Sequence, residues 1–289
     1  MKWFAGAISL ACIAAFALTS SSAAPAQDAD WDAHVQACRA ELGGANPIAP
    51  DAKIAGCTWL LESGRLTDPG TAEVLTLRSL AYSAKRDTAG EMKDLDGAVA
   101  ADPTSAFAWA ESCSAHMWTS HDAARAAKDC STAIQLAPSD PEGWTYRGDI
   151  SLYLHNYDRA IADYNHAIAL NPKWMWPLDN RGEAYLRSNK FDQAIQDFNA
   201  VIAVAPDYAM GYLDRGIARI RMHDLNAARN DFETALKVEP KNAAALYGRG
   251  LVKVLRGDRA GGKADIAAAK AISSHAPENF DRDGVRAPD

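Results

Sequence analysis

Apolar positions along this chain fall at helical rather than strand spacing, and they do so in short paired runs. Between residues 142 and 154, Trp144, Gly148 and Leu152 recur at helical intervals. A polar turn follows at His155-Asn156-Tyr157-Asp158, and then Ala160, Tyr164 and Ala167 face one way over residues 159–170. Recurrence every three or four residues marks one stripe of an amphipathic helix, so this stretch predicts two short helices joined by a tight turn. The same phrase returns as RGEAYLRSNKFDQAIQDFNAVIAVAP and RGIARIRMHDLNAARNDFETALKVEP.

Prolines set the period. They stand at Pro69, Pro103, Pro138, Pro172, Pro206 and Pro240, with spacings of 34, 35, 34, 34 and 34 residues. The last five close the similar phrases AVAADP, AIQLAP, AIALNP, VIAVAP and ALKVEP. Proline lacks the amide hydrogen and clashes with the preceding turn, so each one separates a helix from the next. Gly148, Gly182, Gly216 and Gly250 recur mid-helix, where glycine costs about 1 kcal/mol against alanine. Close approach of the two helices of each hairpin, glycine against a small residue such as Ala160, is the expected compensation.

The chain resembles the tetratricopeptide repeat family. One unit carries Trp144, Gly148, Ala160, Tyr164, Ala167 and Pro172 at the family's positions. The next carries Gly182, Tyr185, Ala194, Phe198 and Pro206, and the one after it Tyr212, Gly216, Ala228, Phe232, Ala235 and Pro240. The fit is strongest over residues 139–240, extends over 243–274 and loosens over 70–138. The phrase PDAKIAGCTWLLESGRLT is similar to openings of exported family members of proteobacterial type. The resemblance implies an all-α fold, a right-handed α-solenoid of antiparallel helical hairpins. It assigns residues 27–68 to an irregular N-terminal hairpin and 69–275 to about six repeats. Residues 276–289 show no packing pattern and are expected as a polar C-terminal tail.

The first residues read differently. Lys2 precedes an almost wholly apolar run from Trp3 to Leu18, followed by Ala24-Pro25-Ala26. That run spans about 24 Å as a helix, short of a ~30 Å hydrocarbon core. Residues 1–26 are therefore expected to be a cleaved signal peptide, with cleavage after Ala23 as the alternative. The expected location is the periplasm or the exterior. The formal charge of −7 becomes more negative by one with Lys2 removed, and argues against nucleic acid as a partner.

Export changes the reading of the cysteines. Cys12 leaves with the leader, and Cys38, Cys57, Cys113 and Cys130 remain. Four cysteines in an oxidising compartment allow three pairings. Arg78, Arg147, Arg181, Arg215 and Arg249 share one repeat phase, and Asp94, Asp163, Asp197, Asp231 and Asp265 share another. Charges that recur together in this way read as ion pairs between the helices of each hairpin, rather than as a polyanion-binding ladder. In the third unit Asp129 is kept, but Cys113 replaces the arginine and Cys130 takes the aromatic position. Both cysteines then face one seam, which predicts a Cys113–Cys130 disulfide; Cys38–Cys57 is expected across the first hairpin. Buried free thiols are the alternative.

No nucleophile elbow, zinc-protease, dinucleotide or phosphate-loop motif is present, and the seven histidines show no ligand spacing. The expectation is a protein that is not an enzyme and takes no cofactor or metal. In the resembled family the first helix of each hairpin lines a concave surface. Carried over, this nominates Asp149, Tyr153, Trp176, Asp179 and Glu183, with Trp174 added from the unusual phrase Pro-Lys-Trp-Met-Trp-Pro at 172–177. Farther on the groove turns apolar, with Met210, Leu213, Ile217, Ile220, Tyr247, Leu251 and Val254; a phase error of one residue would make these core. The expected partner is a protein or peptide with basic and apolar residues, bound by an envelope scaffold. A self-associating structural protein and a glycan-binding module are the alternatives.

Overall fold

The computed structural model describes residues 29–42 and 47–285, and the expected leader lies outside them. The described residues hold fifteen α-helices and no strand, the all-α helical-repeat fold that the period implies. The chain divides into two compact units, one ending at Ile150 and the other beginning at Ser151.

The first unit contains three hairpins: α1 (Ala29–Arg39) with α2 (Pro50–Glu62), α3 (Asp68–Ala84) with α4 (Thr88–Ala101), and α5 (Ala106–Trp118) with α6 (Ala123–Leu136). Helix α7 (Pro141–Tyr153) runs across the division. The second unit continues with α8 (Tyr157–Leu170), then the hairpins α9 (Met175–Arg187) with α10 (Phe191–Val204), α11 (Ala209–Arg221) with α12 (Leu225–Val238), and α13 (Ala243–Leu255) with α14 (Arg259–Ile272). A short last helix, α15 (Glu278–Arg282), closes it. The helices read from the pattern around residues 142–170 fall within two residues of those observed.

The turns inside hairpins share one local device. Arg86, His121, His155, Asn189, His223 and Gly257 all adopt positive φ, which turns the chain sharply after each first helix. The next residue caps the second helix: Asp87, Asp122, Asn156, Asp224 and Asp258 each accept a hydrogen bond from a backbone amide. Such caps are worth about 1 kcal/mol each. A second device locks the proline turns between hairpins. Trp109, Trp144 and Tyr212 each donate to the carbonyl of the proline six residues earlier, at 2.9, 3.0 and 3.1 Å.

Both expected disulfides are present, Cys38–Cys57 and Cys113–Cys130. Each bridges the two helices of one hairpin and lies in its buried apolar cluster. Where Cys113 displaces the arginine, Asp129 takes other partners: the Ser112 hydroxyl at 2.8 Å and His116 Nδ1 at 2.9 Å.

The arginine–aspartate pairs read from the repeat phase form between the two helices of a hairpin. Arg78, Arg181, Arg215 and Arg249 each make at least two hydrogen bonds to Asp94, Asp197, Asp231 and Asp265, with the closest contacts at 2.6–2.7 Å. The fork has a further use. Arg78 Nη1 reaches Thr58, Arg181 Nη1 reaches Asn165, and Arg215 Nη1 reaches Asn199, each on the second helix of the preceding hairpin. One guanidinium thus ties its own hairpin to the one before, a task that a lysine point charge would not perform. Burial pushes the Asp197 carboxyl above its ordinary range even beside Arg181, so the pair orients the helices more than it adds net stability.

The mid-helix glycines do allow close approach, but against larger neighbours than expected. A Cβ at Gly182 would meet the Phe198 ring at 2.6 Å, and one at Gly216 the Phe232 ring at 2.8 Å. A Cβ at Gly250 would meet the Ile266 side chain at 2.8 Å and the Gly262 carbonyl at 2.9 Å. The notch holds an aromatic edge at Gly182 and Gly216, and an aliphatic side chain with backbone beside it at Gly250.

Candidate functional site

Helix α9 starts immediately after the tryptophan phrase. Trp174 stands at its N-cap without a side-chain cap, and Trp176 lies in its first turn; both are half-buried. The Trp176 ring meets Tyr208, the N-cap residue of α11, edge-on at 5.8 Å and 84°. An edge-to-face pair of this kind adds about 1 kcal/mol beyond its buried area. The Tyr208 hydroxyl then donates to Asp179 Oδ2 at 3.3 Å. Trp176, Tyr208 and Asp179 therefore join two successive hairpins.

The other nominated residues divide by burial. Tyr153 is 56% exposed. Asp179 is wholly buried, and Asp149 and Glu183 are nearly so. Glu183 is held by Arg187 on its own helix and by Arg282 of α15 at 3.3 Å. The groove expected to be openly acidic in the middle is thus mostly packed at its carboxylates, while the aromatic side chains keep part of their surface.

The apolar stretch is closed as well. Leu213, Ile217, Ile220, Tyr247 and Leu251 are buried, and they share one apolar cluster with Ala276, Phe280 and Val285. The segment expected as an unpacked polar tail is therefore packed over residues 276–285. Phe280 has no exposed surface, and its ring centroid lies 5.1 Å from that of Tyr247 and 6.0 Å from that of Phe232. Asp283 is buried between Arg187 Nε at 3.6 Å and Arg282 Nε at 3.4 Å. Its carbonyl accepts from Arg221 Nη1, whose Nη2 holds Asn189 at 2.6 Å. Gly284 makes this approach possible: its φ is +75°, and a Cβ there would stand 2.6 Å from the Arg221 guanidinium. The one sign in the sequence was Phe280, a lone aromatic in a polar segment.

An acidic cluster lies in the first unit. Burial pushes the Glu111 carboxyl from 4.5 up to about 8, with Glu142 and Glu91 adding like charge and the Tyr146 hydroxyl opposing it. A carboxyl raised on folding leaves full stability below its unfolded value and loses it as pH rises toward the folded one. Between about pH 4.5 and pH 8 the native protein is therefore expected to lose stability that Glu111→Gln retains. Urea midpoints at pH 5 and pH 8.5 check this. A wild-type-minus-variant difference that stays constant with pH would sink it.

No helix of the described residues is long and apolar enough to cross a membrane, and no cluster of histidine, cysteine and carboxylate groups among them has metal-binding geometry.

Comparison with known proteins agrees with this architecture. Two tetratricopeptide repeat family models match, over residues 141–174 and 181–247. Among solved structures, the chain is similar to one described as a functional characterization of Pseudomonas aeruginosa pilF, at 17% identity and a TM-score of 0.64, covering 74% of this chain and 98% of that one. It is also similar to a tetratricopeptide repeat protein from Parabacteroides merdae, at 16% identity and a TM-score of 0.61, with 81% and 92% covered. A third likeness is to YrrB, described as a TPR protein with an unusual peptide-binding site, at 16% identity, a TM-score of 0.53, and 68% and 98% covered. At such identities these structures speak to the fold alone. No curated protein matches the sequence. The period, the hairpins and the two matched stretches agree: residues 141–174 and 181–247 of this chain carry tetratricopeptide repeats.

Proposed function

We propose that this protein is a non-catalytic scaffold that binds a protein or peptide partner in the cell envelope. The observation that carries the reading is the row of short first helices, held in register by the arginine forks, with part-exposed aromatic side chains at Trp174 and Trp176. Rigid, part-exposed aromatics are the usual anchors of peptide recognition, because they bring large contact area for little lost rotamer freedom. The envelope location is supported by the apolar leader pattern at residues 3–18 and by two disulfides, which are common in oxidising compartments and rare in reducing ones.

The test is a pull-down from an envelope extract with the mature protein and with a Trp174→Ala/Trp176→Ala variant. Folding of the variant is checked by circular dichroism, because Trp176 also packs on Tyr208. The variant is expected to recover its partners about tenfold less well, the loss of one good aromatic anchor. Equal recovery by both proteins overturns the role given to the tryptophans.

A further inference from the structure

Residues 276–285 do more than end the chain. They lie against side chains drawn from alternate helices of three successive hairpins: Glu183 and Arg187 on α9, Arg221 on α11, and Tyr247 on α13. These are first helices, the same elements that the repeat pattern assigns to ligand contact. The contacts have the anatomy of peptide recognition. Phe280 is a fully buried aromatic anchor, an acidic side chain three residues later faces arginine, and a main-chain carbonyl is held by a second arginine. The segment follows α14 through a short turn at residues 273–277, so it is tethered beside this surface.

We propose that residues 276–285 occupy a peptide-binding surface in cis, and that the same surface takes a partner segment with an aromatic residue followed three positions later by an acidic one. Such a partner binds by displacing the chain's own C-terminal segment. The inference rests on the binding reading above only in that these repeats recognise peptides; it uses a different surface from the tryptophans. It adds an acidic position to the charge expected of the partner, since Arg187 and Arg221 receive an acidic side chain and a carbonyl while Glu183 faces the segment's basic Arg282.

The occupant's fit is imperfect in a way that suits exchange. Asp283 Oδ2 is buried without a hydrogen-bond partner, and Arg187 stands at 3.6 Å, beyond hydrogen-bond length. Burial also pushes the Asp283 carboxyl above its ordinary range. A buried acceptor left unsatisfied is costly, so the segment is held by its apolar side chains, by Arg221 on the main chain, by Arg282 on Glu183 and by the tether rather than by the Asp283 carboxylate. A short tether supplies an effective concentration on the order of millimolar, enough to mask the surface against weak competitors. A partner that satisfies the arginines better, or carries a second anchor, overcomes it.

The experiment uses a fluorescent peptide with the sequence of residues 276–285, titrated by anisotropy into the mature chain and into its Phe280→Ala variant. The variant, with its own anchor removed, is expected to bind the peptide at least about tenfold more tightly than the native chain, through loss of the tethered competitor. A peptide carrying alanine in place of both Phe280 and Asp283 is expected to bind neither. Asp283→Ala, which removes the imperfectly held carboxylate and keeps the apolar anchor, is expected to leave the segment closed and to bind the peptide no more tightly than the native chain. In the native chain, saturating peptide is expected to accelerate amide exchange in residues 278–285 while the flanking helices stay protected. Equal affinity for all three proteins, or no binding to any, overturns the proposal and leaves the segment as a structural cap. Neither result touches the tryptophan test, so the two readings fail separately.

Discussion

Phe232→Ala is expected to cost about 3–5 kcal/mol of unfolding free energy, the range for aromatic truncations in a core. Phe232 has no exposed surface and belongs to the largest apolar cluster of the second unit. Its ring sits against two glycines, Gly216 on α11 and Gly248 on α13, where a Cβ would come within 2.8 and 2.6 Å of it. The third neighbour is Phe280, 6.0 Å away between centroids. Cavity cost depends on how far the surroundings relax, and glycines have no side chain to swing into the void. The notch that lets the helices approach is thus also what keeps the site from collapsing. Because repeats are stabilised by their nearest neighbours, the loss should spread through α11–α14 rather than remain local. Urea denaturation measures the total, and hydrogen exchange locates it. Val238→Ala, at a site 36% exposed, is the control and should cost under about 1 kcal/mol. A Phe232→Ala cost as small as that of the control means that the notch closes on itself.

The second large effect is redox-dependent and confined to one unit. Opening a disulfide restores chain entropy to the unfolded state, about 3 kcal/mol for loops of this length. The bridges span 19 and 17 residues, and both lie before Ile150. No cysteine follows Ser151. Reduction, or the paired substitutions Cys38→Ser/Cys57→Ser and Cys113→Ser/Cys130→Ser, should therefore weaken residues 29–150 and leave the core of residues 151–285 unchanged. Around Cys113–Cys130 the effect is sharper, because the bridge stands where other hairpins have an arginine fork. Ser112 and His116 satisfy Asp129 there, but neither forms the second tie to the preceding hairpin that Arg78, Arg181 and Arg215 make. Hydrogen exchange with and without reductant distinguishes the units; uniform loss of protection along the chain, or none, contradicts the assignment.

Much of this was legible because repeat sequences state each rule several times. A single arginine and aspartate sixteen residues apart mean little, but the same pair at one phase in five units identifies an inter-helix bond. The exception in the third unit then identified a disulfide. The second half of the arginine fork was not legible, because Thr58, Asn165 and Asn199 are small polar residues of the kind that any exposed helix carries. The nominated carboxylates were misjudged for a related reason. Whether Asp179 lines a groove or lies buried depends on Tyr208, which belongs to the next hairpin and reaches back across the seam.

By itself the sequence determined the elements: the 34-residue period, the paired helices, their turns and the phase of the ion pairs; it pointed to both cysteine pairings but left free thiols as an alternative. All of these depend on contacts within one hairpin, whose residues lie near each other in the chain and recur with it. Tertiary structure alone decided what is covered. Phe280, Asp283 and Val285 follow no period, and their partners sit on α9, α11, α12 and α13, brought together only once several hairpins have stacked. Local pattern reports which face of a helix is apolar. It does not report whether the next hairpin, the solvent or the chain's own last helix lies against that face.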